Sequence, residues 1–261
     1  MNYEILNLFL LFILAFTFLI SFLGYGIFFK NKIFKNKIVL NLGEVGLLGL
    51  FTLIIVSYFT ILFFSHNFIH NFLILIVGLF LFLLNIKKVI FNEFKLILLI
   101  FFFTFIIFLI AKNHDDFQYY HLPFSLYLSE KKISFGLGLL NYGFRHHSSI
   151  LFLNSLYFLP GIKYYLFNLS NYLILIFVNF ILISEIIKRI KKKDIIFLIS
   201  IFFLVLINVK FTRLSEYGTD LAGQLILSII FINFIKTITD IESIEKIYFN
   251  IFLLLIIFSF K

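Results

Sequence analysis

Long apolar stretches, broken at intervals by short polar patches, run the length of this chain. A membrane-spanning helix needs about 20 mostly apolar residues, fewer where the bilayer thins or flanking lysines reach back to the interface. Runs of this kind cover residues 5–29, 39–64, 72–86, 96–111, 164–187, 195–209, 221–235 and 247–260. Five of them, beginning at 72, 96, 195, 221 and 247, are short for a span, so their helices are expected to extend into the flanking polar positions. The first run lacks the basic start and small-residue cleavage site of a signal peptide and reads as a permanent helix. One more apolar run, Ser148 to Leu159, is helical in pattern but too short to cross. It is expected to be re-entrant or interfacial, capped by Ser148 or Ser149 and stopped by Pro160-Gly161. The predicted fold is all-α: a polytopic transmembrane helix bundle of seven or eight spans with an outer juxtamembrane or re-entrant helical loop. It forms one integral membrane domain over residues 1–261, without repeat, linker or soluble domain.

Composition agrees, at 62% apolar and 13% charged, against roughly 45–50% and 25% in soluble domains. Mean hydropathy is +1.10. Cysteine is absent, which excludes a disulfide framework, a thiolate metal site and a cysteine nucleophile. The net charge of +9 does not point to nucleic acid, because the charges lie in short clusters between apolar runs, where membrane topology is encoded. Lys30, Lys32, Lys35 and Lys37 follow the first run; Lys87, Lys88 and Lys95 separate the third and fourth. Lys188, Arg189, Lys191, Lys192 and Lys193 follow the fifth, and Lys236 and Lys246 flank the last connection. These 14 of the 22 basic residues fall on one side if the N-terminus starts outside, and that side is cytoplasmic by the positive-inside rule. Residues 65–71, 112–163 and 210–219 are then outside.

The long outer loop opens with Asn113-His114-Asp115-Asp116-Phe117-Gln118-Tyr119-Tyr120-His121-Leu122-Pro123. Adjacent carboxylates beside histidines at a helix mouth can act as a general base, bind a divalent cation, or mark a solvated helix end. Further on come Gly136-Leu137-Gly138 and Asn141-Tyr142-Gly143-Phe144-Arg145-His146-His147-Ser148-Ser149. An arginine ahead of a serine-capped helix start offers paired hydrogen bonds and free backbone N–H groups, the combination that holds phosphate. The alternative is that Arg145 anchors to lipid headgroups and the serines only cap. The second outer segment, Arg213 to Asp220, leads into the seventh run; with a helix beginning near Ser215, Glu216 and Asp220 share a face. Asp220 would begin to enter hydrocarbon, where an ionisable side chain is a functional candidate. Glu44 is expected to pair with a loop lysine, and His66 and His70 to be rim residues.

The segments Asp-Asp-Phe-Gln-Tyr-Tyr-His-Leu-Pro (115–123), Gly-Leu-Gly (136–138), Asn-Tyr-Gly-Phe-Arg (141–145), Ser-Ser-Ile-Leu-Phe-Leu-Asn-Ser-Leu (148–156) and Glu-Tyr-Gly-Thr-Asp (216–220) resemble a group of bacterial multi-pass proteins. These are in turn similar to the GT-C class of integral membrane glycosyltransferases. The resemblance implies a GT-C-like fold in the bacterial inner membrane, a polyprenyl-phosphate-linked sugar donor and a glycan or lipid acceptor. Carried onto matching positions, Asp115 or Asp116 would deprotonate the acceptor hydroxyl, and Arg145 and Arg213 would hold the donor phosphate. His114, His121, Ser148, Ser149, Glu216 and Asp220 complete the expected substrate-binding set, with a divalent cation as a candidate cofactor. Four helices precede the acidic loop where many class members have one, and the chain stops within its eighth run. It is expected to be a fragment or a shortened relative. The competing functional expectations are a transporter, flippase or polymerase of lipid-linked glycans, and a non-catalytic membrane scaffold.

Overall fold

The computed structural model describes residues 2–34, 38–110, 115–162, 164–210, 214, 219–239 and 244–260. Its helices, in chain order, are α1 (Asn2–Ile33), α2 (Leu42–Thr60), α3 (Phe68–Leu84), α4 (Phe91–Phe108), α5 (Leu122–Glu130), the single turn α6 (Leu137–Leu140), α7 (Ser149–Ser155), α8 (Leu169–Arg189), α9 (Ile195–Val209), α10 (Asp220–Thr239) and α11 (Ile244–Ser259). Among the described residues there is no β-strand. Five helices, α1, α2, α4, α8 and α10, are long and apolar enough to cross a membrane, while α3, α9 and α11 are apolar but shorter. Each expected apolar run is therefore helical. Their starts are set locally: Asn41 and Glu44 close a reciprocal capping box on α2, Asn67 accepts from the His70 N–H at 3.0 Å, and Asp194 accepts from the Phe197 N–H at 3.0 Å. Each side chain satisfies an N–H that has no partner within its helix.

Lipid tails are as apolar as leucine, so membrane helices gain by close backbone approach rather than by hydrophobic burial. Glycines make that approach here. A Cβ on Gly26 would collide with the Val45 carbonyl, one on Gly49 with the Phe22 carbonyl, and one on Gly24 with the Gly78 carbonyl. This seats α1 against both α2 and α3. The central post is α8: 78% of its apolar window is buried, against 28% for α4. It is tied to α4 where the Tyr172 hydroxyl donates to Phe101 O at 2.7 Å, and to α9 by reciprocal amides, Asn179 to Asn208 at 3.1 Å and back at 2.8 Å.

The helix ends that carry the basic clusters meet at one end of the bundle. There Lys236 on α10 pairs with Glu185 on α8 at 2.8 Å, both buried. Arg189 bridges Glu185 and Asp194. Glu44 lies in the field of Lys236 and Lys246, and Lys30 in that of Glu44 and Glu93. Glu44 serves α2 directly by accepting from the Asn41 N–H at 2.8 Å.

Two expectations are corrected at the opposite end. The short helix α7, expected to be re-entrant or interfacial, has all of its residues buried in protein, which excludes the interfacial alternative. Ser148 occupies its cap position, but the hydroxyl makes no cap hydrogen bond, and the helix ends at Ser155 rather than at Pro160-Gly161. His66, expected at the rim, is fully buried and clamped between Ser155 Oγ at 2.6 Å and Thr60 Oγ1 at 3.1 Å. Asn71 reinforces this knot by donating to His66 O at 2.7 Å and Ser155 O at 2.8 Å. Burial removes water from the imidazolium and pushes the His66 pKa down to about 3. The ring therefore stays neutral and pins the α2–α3 connection onto α7.

Candidate functional site

The backbone is helical from Asp115, but residues Phe117–His121 form a wide π-helical turn before α5. The cause lies two residues further on. Pro123 has no N–H, so the carbonyl four residues earlier, Tyr119 O, loses its helical donor. Asn141 supplies the replacement through its side-chain amide at 3.2 Å. A proline in one motif thus creates the acceptor that fastens the second motif to it. Gly143 completes the joint, since a Cβ there would lie 2.5 Å from Tyr120 Cβ; only glycine lets Tyr120 settle. The same device recurs beside it. Arg145 lies over the Tyr142 ring at 4.7 Å and donates from Nε to Gly138 O at 3.2 Å, where a Cβ on Gly138 would stand 2.7 Å from Arg145 Cγ. The three quoted motifs between 115 and 145 are one folded unit.

Tyr120 is the hub of that unit. Its ring meets His121 at 4.2 Å and His146 at 5.7 Å. Its pKa is raised first by burial and then by the negative fields of Asp116 and Asp220, so the hydroxyl remains a donor at neutral pH. Tyr120 thus lies within the electrostatic reach of carboxylates from two distant segments, Asp116 and Asp220. Asp220 is exposed at the first position of α10; the expected helix start near Ser215 lies outside the described residues. Asp220 lies at the head of a groove of ≈ 290 Å³ lined by Thr219, Asp220, Gly223, Gln224, Leu227, Ile257 and Phe260. This groove runs between α10 and α11, from polar at its head to apolar along its length.

The remaining expected site residues are placed as follows. Asp115 and Arg145 are exposed, and Arg145 has no carboxylate partner among the described residues. His121 is buried. Ser148 and Ser149 are buried too; Ser149 Oγ is engaged at 2.7 Å by Ser259 Oγ of α11, while Ser148 Oγ has no hydrogen-bond partner among the described residues. His114, Arg213 and Glu216 lie outside the described residues. Among the described residues, no three His, Asp or Glu side chains come together as metal ligands. Sequence reasoning quoted Tyr120 and Asn141 but assigned neither a role. The signal for Asn141 was present, because Pro123 announces an unpaired carbonyl at Tyr119.

The family described as Domain of unknown function (DUF8201) matches residues 8–261. The chain belongs to this family. All five quoted motif segments fall inside the one matched region, as does the groove between α10 and α11. No curated protein matches the chain, and no solved structure does.

Proposed function

We propose that this DUF8201 protein is a GT-C-like glycosyltransferase of the bacterial cell membrane, transferring a sugar from a polyprenyl-phosphate-linked donor to a glycan or lipid acceptor on the periplasmic face. The observation that carries the reading is Asp220 at the head of a groove whose walls, Leu227, Ile257 and Phe260, suit hydrocarbon, with Tyr120 of the acidic loop in the fields of both Asp220 and Asp116. Acceptors and carriers of this kind need a polar reaction centre at the membrane surface with an apolar slot beneath it. In the reaction, the carboxylate of Asp115 or Asp116 takes the acceptor hydroxyl proton as its oxygen bonds to the sugar's anomeric carbon. The bond from that carbon to the carrier phosphate breaks, and the released phosphate is neutralised by Arg145, with Arg213 as a second candidate. Asp220 and Gln224 offer hydrogen-bond acceptors to sugar hydroxyls.

Two features support the membrane placement. Phe135, Leu139 and Leu140, at the tip of the outer loop, are almost wholly exposed, as befits side chains resting in the outer leaflet. Arg145, on the same loop, would then sit at headgroup depth, where a carrier phosphate lies. Helix ends alternate between the basic end and the outer-loop end along α1, α2, α3, α4, α8, α9, α10 and α11, which supports seven or eight crossings with the N-terminus outside. At 1.5 Å per residue the 15 residues of α9 reach about 22 Å, short of a core about 30 Å thick. The lysines at 191–193 on its basic side can snorkel to make up part of the difference.

The test is complementation. Asp115→Asn and Asp116→Asn preserve size and hydrogen bonding but remove the base, and one of them should lower glycan transfer by about 10²–10⁴-fold with the protein still inserted and abundant. Arg145→Ala should be the graver lesion and Arg145→Lys the milder if charge dominates. Wild-type glycans from both Asn variants and from the double variant would refute the enzyme.

A further inference from the structure

Glycine inside a helix weakens it unless something requires the missing side chain. Among the described residues, the glycines within α1, α2, α3 and α6 are required by packing, since a Cβ on any of them would meet a neighbouring atom at 1.9–2.7 Å. Gly223 in α10 differs. Its Cβ would meet only Ile257 Cγ2, at 3.9 Å, an ordinary contact, so packing does not call for glycine there. What the missing side chain leaves open is the groove of ≈ 290 Å³ between α10 and α11, of which Gly223 is a wall. A glycine in such a place lets an occupant lie directly on the helix backbone.

The charge at the head of the groove says what that occupant is. Asp220 is exposed at the first position of α10, where its carboxylate already answers the positive end of the helix dipole. Thr219 and Gln224 beside it are uncharged, and no lysine, arginine or histidine lines the groove among the described residues. A phosphate would face a carboxylate there instead of a cation. Hydroxyl groups would find acceptors in the Asp220 carboxylate and the Gln224 carbonyl, and hydrogen bonds to a charged oxygen are the stronger kind. Beneath the head, Leu227 and Ile257 are apolar. The face of α10 that carries Leu227 continues at helical spacing through Phe231, Phe234 and Ile238, all exposed. The groove therefore opens onto hydrocarbon below its polar head.

We propose that the groove between α10 and α11 binds the acceptor of the transfer, a membrane lipid with an uncharged, hydroxyl-bearing head such as a glycosyl diacylglycerol. The head hydroxyls donate to Asp220 and Gln224, and the hydrocarbon crosses Gly223 onto Leu227 and Ile257. The role of acceptor rests on the transferase reading; the binding of the lipid does not. Gly223 sets the width of the groove, and Asp220 turns away lipids whose head is a phosphate.

The experiment reconstitutes the full chain, without sugar donor, in phosphatidylcholine nanodiscs holding equal amounts of monoglucosyl diacylglycerol, phosphatidylglycerol and phosphatidylethanolamine with the same acyl chains. Native mass spectrometry reads which lipids the protein retains. The glucosyl lipid should be retained over the other two by about tenfold or more, the scale of a hydrogen bond to a charged group. Asp220→Asn should erase most of that preference. Gly223→Leu fills the groove and should lower retention of the glucosyl lipid by about tenfold or more, while Gly223→Ala, whose Cβ has room, should lower it less. A Gly223→Leu chain that does not fold leaves the decision to Asp220→Asn, whose exposed side chain is not part of the packed bundle. Wild-type retention in both Gly223→Leu and Asp220→Asn would overturn the groove. Equal or greater retention of phosphatidylglycerol would overturn the charge argument, and a preference for phosphatidylethanolamine would show a site for an amine and overturn the uncharged head. Selective retention by a protein that transfers no sugar would refute the transferase and leave the lipid site standing, whereas transfer without retention would refute this site alone.

Discussion

Changing Lys236 or Glu185 should destabilise the bundle by amounts that their surroundings fix. The two side chains, 3% and 5% exposed, meet at 2.8 Å, a gross attraction of about 6 kcal/mol at an effective dielectric of 20. Breaking a buried pair from one side costs about 3–5 kcal/mol, because the survivor is left charged and dry. The sides differ. In Lys236→Met, Glu185 keeps Arg189 at 3.5 Å and Lys188 at 3.7 Å, so the loss should lie near the low end, about 3 kcal/mol. In Glu185→Gln, Lys236 has no other carboxylate within ion-pair distance among the described residues, and the loss should lie near the high end, about 5 kcal/mol. At about 2–4 °C per kcal/mol for a chain of this size, thermal midpoints in a fixed detergent should fall by about 6–12 °C and about 10–20 °C. The double variant Glu185→Gln/Lys236→Met leaves no charge stranded and should be no worse than the poorer single change, a coupling of about 3 kcal/mol. Single variants within about 2 °C of wild type, or losses that simply add, would refute a buried interhelix pair.

Other expectations follow from particular contacts. For His66, the unfolded chain binds a proton near pH 6.5 and the folded one only near pH 3, so stability is complete above pH 6.5 and is lost as the pH falls between those values. From pH 7 to pH 5 the loss should be roughly 2 kcal/mol, and His66→Gln should flatten that slope in a pH series of melting curves. Gly143→Ala forces a Cβ to within 2.5 Å of Tyr120 Cβ; transfer should fall at least tenfold while abundance in the membrane holds, and unchanged transfer would separate Tyr120 from the chemistry. A single cysteine at Ser134, which is exposed and bonded to the Tyr127 hydroxyl at 2.8 Å, should label from outside in intact spheroplasts. Labelling only after permeabilisation would invert the topology.

Much of the scaffold was legible in the sequence because hydrocarbon imposes a simple rule of length and apolarity. The run 195–209 reappears as α9 with the same ends, since Asp194 caps one side and the apolar residues give out at Lys210 on the other. The lysine clusters grouped at one end of the bundle as their loop positions implied. What could not be read was tertiary. Ser148–Leu159 has the composition of an interfacial helix, and only its enclosure by α2, α5 and α8 reveals α7 as a buried strut. His66 reads as a loop histidine until Ser155, eighty-nine residues away, is found against it. Within the candidate site, convergence of the acidic segment with Asp220 was an expectation from shared sidedness alone, whereas the seating of Tyr120 against Gly143 is tertiary. The carboxylates whose fields reach Tyr120 come from two segments and its seat from a third, and no local pattern records that.

The central claim is transfer of a lipid-linked sugar at the outer face, and the most direct measurement is the fate of that carrier in a deletion strain. Polyprenyl-phosphate sugars should be extracted and quantified by mass spectrometry, with their leaflet assigned by lectin access in intact and permeabilised spheroplasts. The account predicts a polyprenyl-linked sugar accumulating in the periplasmic leaflet, cleared by the wild-type gene and not by Asp115→Asn/Asp116→Asn. Accumulation confined to the cytoplasmic leaflet would make the protein a flippase, and no accumulation with intact envelope glycans would contradict the account altogether.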